Sequence, residues 1–217
     1  MAIKPILFNT EMVRAILGGR KSCTRRMVKH QPDEKHTYPL GFVTDSTEKK
    51  EVGCFGFGID EYGGSIQYAK PQYQPGDILY VRETWERFEC WNCEGGERGN
   101  CSKEPKKSVL DKTCGCYMYR ATDEISGDAK WHPSIHMPKE AARIWLKVTN
   151  VRVERLQDMT DDDAEAEGCF DYTSTALGFP DVWDSTIKKS DLDRYGWDAN
   201  PWVWVIEFER CEKPKEV

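Results

Sequence analysis

The sequence predicts an α+β fold, with strands dispersed among few helices rather than a doubly wound sheet. Two observations predict it. Ile144, Leu146 and Val148 alternate with Trp145 and Lys147, and Val151 and Val153 alternate with Arg152 and Glu154, the period of a half-buried sheet. Helical spacing is confined to short stretches, of which Met12, Val13, Ile16 and Leu17 are the clearest.

In chain order, Ile6-Leu7-Phe8 reads as a short first strand. Asn9 or Thr10 can cap the helix that follows, because a short side-chain oxygen satisfies its free first-turn amides. Gly18-Gly19 ends that helix, where a left-handed residue is tolerated without a Cβ. The segment Gly19-Arg20-Lys21-Ser22-Cys23-Thr24-Arg25-Arg26 therefore leaves a helix C-terminus, whose carbonyls attract cations. Residues 31–75, rich in glycine and polar residues, read as irregular loops with at most one hairpin. Gln74-Pro75-Gly76-Asp77 is a turn that launches Ile78–Arg82 as a strand, and Tyr117–Arg120 reads as another. Thr149-Asn150 can kink or turn the alternating sheet segment. Thr160 caps a short acidic helix reaching about Glu167, and Gly168 stops it. A further helix is expected over Val182–Lys188. Asn200-Pro201 introduces the last strand, Trp202–Glu209.

The chain has 217 residues, enough for a real hydrophobic core without staples. Eight Trp, nine Tyr and eight Phe exclude a disordered chain. No apolar run approaches the roughly 18 to 20 residues that span a bilayer, and the N-terminus lacks a signal-peptide pattern, so a cytoplasmic location and no membrane partner are expected. There the nine cysteines should be reduced. A net charge of −6 disfavours strong, indiscriminate binding along a phosphate backbone. The charge is uneven, however: residues 1–30 carry Lys4, Arg14, Arg20, Lys21, Arg25, Arg26 and Lys29 against Glu11 alone, while residues 158–167 are acidic. Such a basic face can attract an anion locally, or the two faces can simply neutralise each other.

Cysteines crowd residues 88–117. Cys90-x-x-Cys93 and Cys114-x-Cys116 suit a tetrahedral structural zinc, with Cys101 as a substitute ligand, because thiolates bind zinc and pin a loop that lacks a core. Free thiols or a regulatory disulfide are the other readings of the same residues. His132 and His136 are four apart, but Pro133 and Pro138 argue against a helix presenting them together. Trp85 or Trp131 can stack on a base, since any nucleobase offers a π-face, while core packing accounts for most of the eight tryptophans.

Four blocks in order carry a family resemblance. They are Ile16 through Arg26; Pro75-Gly76-Asp77-Ile78-Leu79; Leu156-Gln157-Asp158-Met159-Thr160 leading to Asp163-Ala164-Glu165-Ala166-Glu167; and Val203 through Phe208. Together they resemble the ASCH family, whose fold is a PUA-like mixed β-barrel. Val81-Arg82-Glu83-Thr84-Trp85 and Pro133 through Pro138 look like its longer, phage-associated branch. The resemblance implies one ASCH domain over residues 1–217, with insertions at about 31–70, 88–116 and 170–198. It also implies a cleft binding a nucleoside or a base of RNA or DNA. Some members remove the acetyl group of N4-acetylcytidine with a Lys, a Thr and a Glu, and Lys21, Thr24 and Glu167 occupy those motif positions. Arg20, Arg25 and Arg26 would supply further binding contacts. Cys23 departs from the family, which usually has an aliphatic residue there.

The chemistry fits these residue types. Hydrolysing an exocyclic amide needs a nucleophile, a base to activate it and an acid for the leaving nitrogen. Lys21 could take the Thr24 proton if Arg20, Arg25 and Arg26 crowd it and disfavour its ammonium form. Glu167 could orient Lys21, protonate the leaving group or activate water. Alternatively Lys21 and Arg26 grip an anion and Thr24 is only a sheet residue, which makes a non-catalytic RNA- or DNA-binding module; ribonuclease chemistry at the same cleft is a further possibility.

Overall fold

The computed structural model describes residues 1–89, 106–107, 114–124, 130–169 and 175–215. Its elements are β1 (Ile3–Leu7), α1 (Thr10–Leu17), β2 (Cys23–Met27), β3 (Tyr38–Phe42), β4 (Phe55–Gly58), β5 (Ile66–Ala69), β6 (Ile78–Arg82), β7 (Trp85–Glu89), β8 (Lys106–Lys107), β9 (Cys114–Tyr119), β10 (Trp145–Arg155), α2 (Asp161–Ala166), α3 (Thr175–Thr186), α4 (Leu192–Tyr195) and β11 (Trp202–Cys211). The α+β class stands, and among the described residues no sheet closes into a barrel. No helix among them is long and apolar enough to cross a membrane.

The chain divides into two compact units. The first comprises Met1–Ala2, Arg20–Asp77 and Lys147–Glu209. In it β10, β11 and β2 are neighbours in that order, with β2 antiparallel to β11 in the register Thr24↔Ile206 and Arg26↔Trp204. Beta-branched and aromatic residues fill β11, as a strand buried on both faces requires. Leu156, Val203, Val205, Phe179, Trp183 and Cys23 form one apolar cluster of this unit. A second sheet has the order β3-β4-β5, all antiparallel.

This second sheet differs from the expectation of loops over 31–75. In β4 the alternation is Phe55-Gly56-Phe57-Gly58, with glycine where a polar residue would ordinarily mark the second face. A Cβ on Gly58 would come within 2.9 Å of both Asp60 O and the Leu40 side chain, so close packing explains the glycine there. Phe55 and Phe57 pack instead against Trp204 and Trp202, at ring separations of 6.3 and 5.2 Å.

The second unit comprises Ile3–Gly19, Ile78–Leu146 and Arg210–Val217. Its β1 runs parallel to β6, from Ile3↔Ile78 to Leu7↔Arg82, and β9 lies between β7 and β8. Asn9 caps α1 as expected, its Oδ1 accepting from Met12 N at 2.8 Å, and Gly19 leaves the helix at φ +71°. Tyr117, Tyr119, Met137, Ala141 and Trp145 make its apolar cluster.

Elsewhere the boundaries shift. β10 runs unbroken through Thr149-Asn150, and α3 begins at Thr175, well before the expected Val182. Val148 explains the first difference. Its backbone N–H donates to Asp77 O and its carbonyl accepts from Gly76 N, so the sheet segment is tied at the point where a turn was expected.

Candidate functional site

The site is built in the first unit, where α2 ends against the edge strand β2. Thr160 starts α2 with a capping box: its side chain accepts from Asp163 N, and the Asp163 carboxylate accepts from Thr160 N. Glu167 is the C-cap, and Gly168 at φ +91° turns the chain. Gly168 N donates to Glu165 O and Cys169 N to Ala164 O, the two bonds of a Schellman stop. Two terminal carbonyls remain, and the motif segment supplies their donors. Ser22 N donates to Ala166 O, and Lys21 Nζ donates to Glu167 O, both at 2.9 Å. A cation is thereby drawn to a helix C-terminus.

Lys21 Nζ also meets Glu167 Oε2 at 2.5 Å, with the lysine side chain fully buried and that of Glu167 4% exposed. The other carboxylate oxygen, Oε1, accepts from Arg25 N at 2.5 Å and lies 3.6 Å from the Arg25 guanidinium. Glu167 thus holds the outward edge of β2 as well as Lys21. The expected crowding of Lys21 by arginines is replaced here by a carboxylate partner.

Arg25 is itself committed elsewhere. Its guanidinium donates to Glu154 from Nε at 2.9 Å and from Nη2 at 2.5 Å, and lies 3.2 Å from Asp163. Burial alone would lower its pKa, but Glu167 and Glu154 outweigh burial and raise it. Thus Arg25, expected to bind substrate, is a buried scaffold cation. Arg152 extends this network to Glu154, Asp163 and Glu207. Beside it, burial and then the Glu167 charge push the Cys23 thiol up to about 12. Arg20 is exposed.

Thr24 and Arg26 face the opposite way. Alternation puts them on one face of β2, and their cross-strand partners Ile206 and Trp204 share it. Arg26, Trp204 and Ile206 line a cavity of about 390 Å³ together with Tyr73, Lys29 and Lys70. Burial lowers the Arg26 pKa, opposed by the charge of Glu167 and by Tyr73, so the guanidinium senses both groups. Thr24 is only 1% exposed, and its hydroxyl finds no hydrogen-bond partner among the described residues. Lys21 and Glu167 are therefore brought into contact, while the Thr24 hydroxyl is bonded to neither.

The remaining sequence candidates fall elsewhere. Trp85 and Trp131 belong to the second unit, where Trp85 packs against Tyr117 and His132. The aromatic residues lining the Arg26 cavity are Tyr73 and Trp204, which the sequence reasoning missed. No local sequence signal could have found Trp204, because its place opposite Arg26 follows from the β2–β11 register. Cys90, Cys93 and Cys101 lie outside the described residues, as does the side chain of Cys114; Cys116 is buried in β9. Among the described residues no group of three or more metal-ligating side chains occurs.

No protein-family model matches the chain, and no curated protein matches it. A solved structure described as hypothetical protein PH0355 is similar at 14% identity, with a TM-score of 0.38, over 97% of this chain and 100% of that one.

Proposed function

We propose that this is an ASCH-type, PUA-like protein whose Arg26 cavity receives a nucleobase, and that Lys21, Thr24 and Glu167 hydrolyse the exocyclic amide of an N4-acylated cytidine. The observation that carries the reading is the Thr24 hydroxyl. A buried hydroxyl without a partner costs about 1–3 kcal/mol, which a hydrogen bond from a bound molecule would recover. It lies on the cavity's face of β2, in a segment whose next residue binds Glu167 through its backbone. Tyr73 and Trp204 supply π-faces for a base.

In the proposed reaction the Thr24 oxygen attacks the acyl carbon and its proton passes to the Lys21–Glu167 pair. The short contact to Glu167 lets that carboxylate hold the ammonium proton meanwhile. The C–N bond breaks as the exocyclic nitrogen takes a proton from the Lys21–Glu167 pair, releasing cytidine. Water then cleaves the threonine ester, yielding the free carboxylic acid and restoring the hydroxyl.

A non-catalytic base-binding module is the second reading, and one observation favours it: the Thr24 hydroxyl is hydrogen-bonded to neither Lys21 nor Glu167. Incubation with a panel of N4-acylated cytidines, followed chromatographically, separates the two. Release of cytidine that Lys21→Ala and Glu167→Gln each reduce at least about a hundredfold supports the enzyme. Binding without release supports the module. Neither binding nor release of any nucleoside refutes both.

A further inference from the structure

We propose that the Arg26 cavity selects a mononucleotide carrying a 5′-phosphate over the free nucleoside, with Lys29 and Lys70 as the phosphate subsite. The inference rests on the reading of this cavity as a nucleobase site and names its substrate class.

Three of the residues lining the cavity, Arg26, Lys29 and Lys70, are cationic, and none is acidic. In a chain of net charge −6 a lining whose charged residues are all cationic is the opposite of what the average surface would supply. Three buried or half-buried arginines of the chain are matched by carboxylates: Arg25 by Glu154, Arg143 by Glu83, and Arg152 by Glu207. Lys29 and Lys70 differ, since neither ammonium has an ion-pair partner among the described residues. Both are exposed, whereas Arg26 is half-buried and Tyr73 is buried. The cavity therefore grades from aromatic and guanidinium groups inside to two unmatched ammonium groups outside. That order suits a base held deep and a dianionic phosphate held at the mouth, each ammonium acting as a point charge.

The same distribution argues against a polymer. Tracking a strand requires a stripe of cations, because each neutralised phosphate adds its own contact. Here Lys29 and Lys70 lie at one cavity, and the acidic run at 158–167 belongs to the same unit.

The test uses the full chain and isothermal titration with the four ribonucleosides, their 5′-monophosphates, inorganic phosphate and an oligocytidylate. For at least one base the monophosphate should bind about tenfold or more tightly than its nucleoside, and the preference should shrink as salt rises. The double variant Lys29→Gln/Lys70→Gln should erase the preference, so that the monophosphate binds no more tightly than its nucleoside. Both lysines are exposed, so an unchanged melting temperature is expected and confirms folding. Equal affinity for nucleoside and monophosphate overturns the subsite and leaves the base-site reading standing. A preference that survives in the double variant, or tighter binding of the oligomer than of the monophosphate, also overturns it. Lysine-dependent binding of monophosphates and inorganic phosphate alike, with no nucleoside bound, supports the anion subsite and refutes the base site. No binding of any probe refutes both.

Discussion

Removing Lys21 should expose how strongly the buried pair holds the first unit together. Lys21→Met keeps most of the apolar stem and deletes the ammonium that meets Glu167 Oε2 at 2.5 Å. Breaking a buried ion pair from one side costs about 3–5 kcal/mol, because the other charge is left uncompensated. Glu167 keeps the Arg25 N–H at 2.5 Å and a guanidinium at 3.6 Å, so the lower end, about 3 kcal/mol, applies. At 2–4 °C per kcal/mol for a chain of this size, the melting temperature should fall by roughly 6–12 °C. Glu167→Leu should cost more, since it strands both the Lys21 ammonium and the Arg25 N–H. The double variant should lose less than the sum of the two, by about 0.5–3 kcal/mol, because it removes both charges together. Urea unfolding followed by tryptophan fluorescence gives the three values, Trp183, Trp202 and Trp204 all lying in this unit. Strictly additive losses, or a Lys21→Met cost below about 0.5 kcal/mol, would show that the pair is not a coupled buried couple.

Three further outcomes follow from single groups. Thr24→Val removes a buried, unbonded hydroxyl, so it should stabilise the protein by about 1 kcal/mol while weakening nucleoside binding or turnover; a destabilised variant would mean that the hydroxyl is bonded after all. Cys23, its thiol pushed up to about 12 and only 3% exposed, should resist iodoacetamide at pH 8 until urea unfolds the chain, with mass spectrometry of the tryptic peptide as the readout. Asp33 accepts from the His36 ring at 2.7 Å, and that bond chiefly lowers its carboxyl pKa to about 2. Its folded value is below the ordinary one, so its contribution is complete above the usual carboxylate range and is lost as pH falls through about 2. Carboxyl NMR of Asp33 should show that low value, and His36→Ala should return it upward; a titration unmoved by the variant would refute the pairing.

Much of the scaffold around the site could be read from local chemistry. Asn9 and Thr160 are short-oxygen caps, and Gly18-Gly19 and Gly168 are stops, so α1 and α2 were legible at both ends. The alternation of Ile144 to Val153 and the aromatic run after Pro201 made β10 and β11 legible too. The β3-β4-β5 sheet was not, because Gly56 and Gly58 hold the positions where alternation is normally read as polar. Neither was the start of α3: Gly178 and Pro180 lie inside it, and both ordinarily signal a break. The Lys21–Glu167 contact was expected from the resemblance alone. No local rule brings together residues separated by 146 positions.

What the sequence hid most completely is the division of labour inside the basic segment. Read as a run, Arg20 to Arg26 is one patch of positive charge. Folded as β2, it is two faces with opposite duties. Cys23 joins the apolar cluster of Leu156, Val203 and Val205, and Arg25 on the same face is tied to Glu154 and Asp163. Thr24 and Arg26 take the other face with Ile206 and Trp204. A slip of one residue would exchange these sets, sending the Arg25 guanidinium to the cavity face and the Thr24 hydroxyl to the apolar cluster. An edge strand pairs on one side only, so β11 leaves the outward edge of β2 unheld. Glu167 adds the missing constraint, because its two oxygens hold Lys21 Nζ just before the strand and Arg25 N within it. The same carboxylate that would take part in the chemistry thereby fixes which side chains can reach it. A Glu167 variant should therefore lose ligand binding even where its carboxylate touches no ligand.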